Sequence, residues 1–253
     1  MEKLYDYPKY YELAFSWRDI PAEVDLFEEC FKRFSRIPVK SVLEVACGNS
    51  PHLAELVKRG YRYTGLDLSQ AMLDYTREKA AALGASVSLV RGDQARFTLP
   101  EQVDFAYVML GSFFMPDSAA VASHFDSIAA ALRPGGLYLL DWVISTGTGE
   151  AGADTWEVEK DGIGIKATCT GEGIDPIKQT ARGVETLEVD DHGKKLVIRD
   201  ECVKRVIYPQ EFLHFIECHP AFEFVGWWND WDLDQPLEGT QKIARPITVI
   251  RRV

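Results

Sequence analysis

The chain has 253 residues, of which 46% are apolar and 26% charged, with a formal net charge of −11. That composition belongs to a soluble globular protein of one large domain, or one domain carrying an insertion. It excludes a membrane helix, since no apolar run approaches the ~18–20 residues needed, and the start Met1–Tyr7 lacks a basic-then-apolar leader. A polyanion would be repelled at long range, because the basic clusters Lys194-Lys195, Lys204-Arg205 and Arg251-Arg252 are flanked by acids or sit at the chain end. Cys30, Cys47, Cys169, Cys202 and Cys218 are odd in number and lack Cys-x-x-Cys spacing. They read as reduced thiols of a cytoplasmic protein, with no metal site.

Residues 8–36 read as helical: Tyr10, Leu13, Ala14, Val24, Phe27, Phe31 and Phe34 recur at helical spacing, and Pro21 marks a break. The pattern then predicts strand 41–46, helix 51–59, strand 61–66, helix 70–83, strand 86–91, strand 103–109, helix 118–132 and strand 136–144. Pro51 suits the first turn of a helix, Ser69 an N-cap, and Gly135-Gly136 a positive-φ turn. Such β–α alternation predicts a doubly wound, Rossmann-like parallel sheet with helices on both faces. Ser145–Gly152 reads as a flexible connection, and 154–207 as antiparallel strands, with Asp190-Asp191-His192-Gly193 as a hairpin turn. Helix 209–217, strand 221–228 and strand 245–252 follow. The expected organisation is therefore 1–146 as N-terminal helices plus ligand-binding core, 147–207 as a small β insertion, and 208–253 completing the core sheet.

The most informative stretch is Val42–Ser50, an apolar strand ending in Glu44 and a small-residue turn at Gly48, followed nineteen residues later by Asp67 at the end of the next strand. A backbone-lined turn and a carboxylate at the carboxyl ends of neighbouring parallel strands form a crevice for an adenosine-bearing ligand. The turn admits close approach, and the carboxylate accepts both ribose hydroxyls.

These residues also carry a resemblance. Glu44-Val45-Ala46-Cys47-Gly48-Asn49-Ser50 resembles the first motif of class I S-adenosylmethionine-dependent methyltransferases, with Ala46 and Ser50 standing where that motif has glycine. Gly65–Leu73, Arg91-Gly92-Asp93 and Leu132–Leu137 resemble that family's following elements, in order. The resemblance implies a seven-stranded sheet whose last strand is antiparallel, with S-adenosyl-L-methionine as cofactor and S-adenosyl-L-homocysteine as product. The β insertion would be a substrate lid. It further implies a cofactor site of Tyr11, Arg18, Glu44, Ala46, Cys47, Gly48, Asp67, Leu68, Met72, Gly92, Asp93, Gln94 and Leu110, with Asp67 on the ribose and Asp93 on the adenine.

Ordinary alternatives stand beside these roles. Glu44 also suits a strand-end carboxylate satisfied by amides, Asp67 a helix-cap acid and Asp93 a turn. Tyr10–Asp19 resembles the N-terminal helix that small-molecule N-methyltransferases, of glycine and amino-sugar type, fold over the cofactor. There Arg18 would meet a carboxylate and Tyr11 the transferring methyl, unless Arg18 pairs with Asp19 at the surface. Tyr11 and Asp141 are the catalytic candidates; Phe113, Phe114 and Trp142 are the substrate candidates, with core packing the alternative for Phe113-Phe114-Met115. Trp227, Trp228 and Trp231, beside Asp230 and Asp232, suit either an aromatic wall for a cationic amine or the core. His124, His214 and His219 read as structural. The expected activity is methyl transfer to a small molecule, above all an amine, with no nucleic acid or membrane partner and a homodimer compatible with the resemblance. Leu110–Met115 is not the Pro-Pro motif that holds a flipped base, which disfavours base methylation. The rivals are protein or RNA methylation, an NAD-dependent oxidoreductase, and a non-catalytic cofactor-binding partner. For NAD, Pro51 stands where the dinucleotide fingerprint needs its third glycine.

Overall fold

The computed structural model describes residues 3–145, 152–239 and 242–253. A 3₁₀ turn (Leu4–Asp6) and helices α1 (Pro8–Ala14) and α2 (Ile20–Phe34) precede β1 (Ser41–Val45), α3 (Leu53–Lys58), β2 (Arg62–Asp67), α4 (Gln70–Ala82) and β3 (Ser88–Arg91). Then come β4 (Val103–Val108), α5 (Ser118–Ala131), β5 (Leu132–Asp141), and four long strands, β6 (Gly152–Lys160), β7 (Ile163–Asp175), β8 (Thr180–Asp191) and β9 (Lys194–Arg205). Helix α6 (Pro209–Cys218), β10 (Phe222–Trp228) and β11 (Ile247–Arg252) close the chain.

Seven strands form one sheet in the order β10-β11-β5-β4-β1-β2-β3. β1 to β5 pair in parallel, and β11 runs antiparallel to both β5 and β10, as the resemblance implies. Every residue of β1 and β4 is buried, as strands covered on both faces must be. Alternate side chains serve the two faces: Leu43, Val45, Ala106 and Val108 pack toward α5 and α6, whereas Val42, Phe105 and Tyr107 pack toward α2 and α3. Strand order reverses between β1 and β4, so the crevice at their carboxyl ends is the switch point at which such sheets bind ligands.

Three local expectations change. The helical break falls at residues 15–19, and Pro21 sits in the first turn of α2 behind an Asp19 cap that accepts the Ala22 N–H at 3.1 Å. Pro51 lies ahead of α3, whose N-cap is His52, because Ser50 is left-handed and the chain makes a tight turn before the helix. β5 begins at Leu132 rather than 136, with Gly135 still at positive φ (88°) inside it.

The second sheet is antiparallel in the order β6-β7-β8-β9. Its β8–β9 hairpin turns at His192 and Gly193 (φ 52° and 89°), with Asp190 accepting the Gly193 N–H at 2.7 Å. Residues 146–151, most of the expected Ser145–Gly152 connection, lie outside the described residues. One face of this sheet buries Ile163, Ile165, Leu187, Val189 and Ile198 with Leu4 and Ala14 of the N-terminal segment. Trp156 Nε1 donates to Ala14 O at 2.7 Å, and the Tyr10 hydroxyl to Asp191 at 2.8 Å. The same segment is clamped to the parallel sheet's helices: Glu12 accepts from Lys79 (2.5 Å) and from the Tyr75 hydroxyl, and Ser69 Oγ donates to Tyr5 O (3.1 Å). Residues 3–15 thus form a wedge between the two sheets.

Candidate active site

Past β1 the backbone turns left-handed at every second residue: Ala46 (φ 51°), Gly48 (52°) and Ser50 (48°). The two positions lacking glycine therefore keep the conformation that glycine serves, at a strain of roughly 1–2 kcal/mol per non-glycine residue. The surroundings hold them there. Cys47 N–H bonds Leu66 O at 2.9 Å, Ser50 N–H bonds Cys47 O at 2.8 Å, and Thr76 Oγ1 lies within 3.2 Å of Gly48 O and Ser50 Oγ. A Cβ on Gly48 would meet nothing within 4 Å, so the main chain there is open to a ligand.

Asp67 faces this turn. Its Oδ2 accepts the Gly48 N–H and its Oδ1 the Ser69 N–H, both at 2.8 Å. Burial pushes its carboxyl up, with Glu44's charge adding to the rise and the Ser69 and Gly48 amides opposing it. Each oxygen keeps an unused lone pair. The turn opens into a cleft of ≈ 290 Å³ that brings together Tyr11, Arg18, Glu44, Ala46, Cys47, Gly48 and Leu110 from the sequence-derived set. Glu12, Asn49, Met109, Ser112 and Lys160, the last from the antiparallel sheet, also line it and were not foreseen.

Beneath the cleft lies a buried charge network. His52 is fully buried, with Nδ1 3.1 Å from Glu44 Oε1 and Nε2 2.8 Å from Glu23 Oε2. Burial alone would lower its pKa, but the two carboxylates outweigh it and raise it. Arg18 does not pair with Asp19: it binds Glu23 through Nε (3.2 Å) and Nη2, its side chain 5% exposed. Arg245 grips Asp141 bidentately (Nε–Oδ1 2.9 Å, Nη2–Oδ2 2.6 Å) and reaches Glu23 at 3.1 Å. Two guanidiniums, Arg18 and Arg245, and the His52 imidazole meet three carboxylates, Glu23, Glu44 and Asp141. Glu44 also accepts from the Tyr63 hydroxyl at 2.5 Å. Glu23, His52 and Arg245 escaped the sequence reading. The available signals were a carboxylate on the apolar face of α2, beside Val24 and Phe27, and a histidine next to the turn.

The remaining candidates sit as follows. Asp141 is fully buried and spent on Arg245, the Leu110 N–H (2.7 Å) and Trp231 Nε1 (3.3 Å), so it fixes the Leu110 loop rather than facing the cleft. Leu68 is exposed and Met72 wholly buried. Asp93, after Gly92, accepts the Ala95 N–H at 2.8 Å in a turn. Gln94 donates to Ser112 O at 2.9 Å, and its buried Oε1 has no partner among the described residues. Phe113 packs edge-on against His124 (4.8 Å), and Phe114 lies under the Lys204 ammonium (5.1 Å). Trp142 is half exposed at φ 60°. Trp228 is buried on Phe34, Trp227 packs on Phe224, and the cation above Trp231 is Arg245, at 4.4 Å. Asp230 is exposed and Asp232 accepts the Asp234 N–H at 2.9 Å. His124 bridges Gln94 O (2.7 Å) and the Tyr138 hydroxyl (2.9 Å), His214 meets Cys218, and His219 lies 3.3 Å from Asp126. Among the described residues no cluster of His, Cys, Asp or Glu could hold a metal, and no helix is long and apolar enough to cross a membrane.

Residues 42–136 match a family model described as a methyltransferase domain. The chain is 29% identical over 140 residues to dTDP-3-amino-3,4,6-trideoxy-alpha-D-glucopyranose N,N-dimethyltransferase of Streptomyces venezuelae, covering 54% of this chain and 56% of that one. The match spans about half the length of the curated relatives, from 41% to 56%. A solved S-adenosylmethionine-dependent methyltransferase from Clostridium acetobutylicum superposes with a TM-score of 0.76 at 17% identity, covering 96% of this chain and 95% of that one. An amino pentose methyltransferase from Micromonospora echinaspora involved in calicheamicin biosynthesis, solved with S-adenosylmethionine bound, superposes with a TM-score of 0.71 at 20% identity, covering 97% of each chain. The fold is that of the class I methyltransferases.

Proposed function

We propose that this chain, which carries a methyltransferase domain over residues 42–136, transfers a methyl group from S-adenosyl-L-methionine to a small-molecule amine, leaving S-adenosyl-L-homocysteine. The observation that carries the reading is the left-handed turn Ala46/Gly48/Ser50 tied to Asp67 at the switch point. When bound, the cofactor supplies a methyl carbon activated by a sulfonium sulfur.

The residues fit such a ligand. Asp67 has lone pairs for the ribose hydroxyls, and the orphaned Gln94 Oε1 needs an N–H donor, which an adenine amino group supplies. Arg18 keeps Nη1 clear of any hydrogen bond among the described residues and lines the cleft, where it suits a carboxylate. A dinucleotide fits worse. Its pyrophosphate would have to land at the start of α3, where the Glu23 and Glu44 carboxylates lie against His52.

The work left to the protein is orientation and exclusion of water, which the wedge of α1 and the antiparallel sheet serves as a lid. A small amine acceptor is supported by the amino-sugar methyltransferases among the relatives and structural neighbours and by a net charge unsuited to nucleic acid. In this reading the protein is cytoplasmic, with buried thiols such as Cys30 and Cys47 reduced, works without a membrane partner and is compatible with a homodimer. Calorimetric titration with S-adenosylmethionine, S-adenosylhomocysteine and NAD tests it. Micromolar binding of the first two alone is expected; binding of NAD alone, or of none, overturns it.

A further inference from the structure

The inner face of the antiparallel sheet changes character along its length. Near the hairpin turn it is apolar, with Ile163, Ile165, Val189 and Ile198 buried against the N-terminal wedge. Strand register fixes the rest of that face, because side chains two residues apart point the same way. Leu187 is succeeded two residues away by Glu185, which stands opposite Cys169 on β7 and Asp200 on β9, while Gly183 stands opposite Cys202 and Ala181 opposite Lys204. The face therefore continues as Glu185, Asp200, Cys202 and Lys204, with Gly171 leaving room. A Cβ on Gly171 would meet nothing within 4 Å.

This polar stretch is turned toward the carboxyl ends of the parallel sheet. Lys204 Nζ lies 3.4 Å from Gly111 O and 5.1 Å from the Phe114 ring, in the loop after β4 whose Ser112 lines the cleft. Tyr11, which also lines the cleft, stands close enough to Glu185 and to Asp67 for both to bear on its ionisation. Tyr5, 5.8 Å from Tyr11 ring to ring, feels Glu185 and Asp200 in the same way. Among the described residues no hydrogen bond or ion pair closes the part-buried Glu185 carboxylate, and the Lys204 ammonium is directed to Gly111 and Phe114. An open carboxylate on this inner face, beside a tyrosine that lines the cleft, is a receptor for a cation.

We propose that Glu185 binds the acceptor as a basic amine and takes its proton, an assignment that rests on the methyltransferase reading above. The ammonium nitrogen gives one proton to the Glu185 carboxylate. Its freed pair forms the N–C bond to the methyl carbon, and the C–S pair leaves with the sulfur, which ends as a neutral thioether. Burial and the neighbouring Asp200 both raise the Glu185 carboxyl against the pull of Lys204, the direction a base for an ammonium needs. Neutral alcohols and anionic acids gain nothing from this site, so the acceptor class is cationic.

The test is isothermal titration of the purified protein, with and without saturating S-adenosylhomocysteine, using cyclohexylamine, cyclohexanol and cyclohexanecarboxylate as shape-matched probes. The amine should bind best, and Glu185→Gln should weaken it by about 10- to 100-fold while the S-adenosylhomocysteine affinity stays put. Amine affinity should also fall with pH as Glu185 protonates. That limb should vanish in the variant even though Tyr5, Tyr11, Cys169, Asp200, Cys202 and Lys204 still face the position. An amine bound no better than the alcohol by the native protein, including no binding of either, overturns the proposal without any variant. So does equal amine binding by Glu185→Gln. Failure to bind S-adenosylhomocysteine would instead sink the parent reading.

Discussion

Glu23 is the keystone of the charge network beneath the cleft, and replacing it by Gln tests the network as a whole. Its side chain is 8% exposed and accepts from Arg18, His52 and Arg245. Burial alone would raise its carboxyl, but the His52 and Arg18 hydrogen bonds and charges outweigh burial and hold it at about 2. In the variant Arg245 keeps Asp141 and His52 keeps Glu44, whereas Arg18, 5% exposed, is left facing only the His52 ring. Removing one partner of a buried ion pair costs about 3–5 kcal/mol; the surviving partners place the loss near ~3 kcal/mol. Linkage gives the same scale: a carboxyl lowered from 4.5 to about 2 contributes about 3 kcal/mol. Because the folded pKa is depressed, that stability is fully present above pH 4.5 and is lost as pH falls toward 2. Urea unfolding followed by circular dichroism should show the loss at pH 7 and a native-minus-variant difference that shrinks below pH 4.5. Adding Arg18→Met should restore part of the loss. A loss under ~1 kcal/mol at pH 7, or a difference indifferent to pH, would refute the reasoning.

Asp67→Ala should weaken S-adenosylmethionine binding by roughly 1–3 kcal/mol in a protein that still folds; unchanged affinity by calorimetry removes the ribose assignment. Gly136→Ala drives a Cβ to 2.5 Å from Asp104 O and 3.0 Å from Arg133 O, both backbone. A loss of about 2–3 kcal/mol in the urea midpoint is expected, and a neutral result would mean that the β4–β5 register shifts freely. His124, fully buried between Gln94 O and Tyr138, has its pKa lowered from 6.5 to about 4 by burial, which outweighs the Gln94 contact. Its neutral form thus adds about 3 kcal/mol above pH 6.5, lost as pH falls toward 4. The native minus His124→Gln stability difference should slope over that window, and a flat difference speaks against a buried neutral imidazole.

What was legible in the sequence is what is local. Val42–Val45 and Val103–Val108 announce buried parallel strands by apolar runs interrupted by a single acid each, Glu44 and Asp104, and Asp190–Gly193 announces its hairpin by turn chemistry. Gly48 and Asp67 announce each other by spacing, and the structure joins them by a 2.8 Å hydrogen bond. The charge network was not legible because its members lie at 18, 23, 44, 52, 141 and 245, and only the fold brings them together. The tryptophans could be read either way for a related reason. Trp231 is built to receive a cation, yet this chain's own Arg245 fills that place. Asp141, at the end of β5, similarly looked like a pocket residue by position, but the antiparallel return of β11 brings Arg245 up to it from the next connection.

The wedge between the two sheets bears on how the molecule is made. Leu4, Tyr10 and Ala14 leave the ribosome well before the strands that bury them, which extend to Ile198, nearly two hundred residues later. Until β6 and β7 have been synthesised, the apolar side of α1 lacks the sheet that covers it, and seven residues are too few to hold a helix alone. This segment is therefore made before the sheet that covers it and settles only once that sheet forms. A ribosome stalled before β6 would display Tyr7, Tyr10 and Phe15 to whatever chaperone or protease passes.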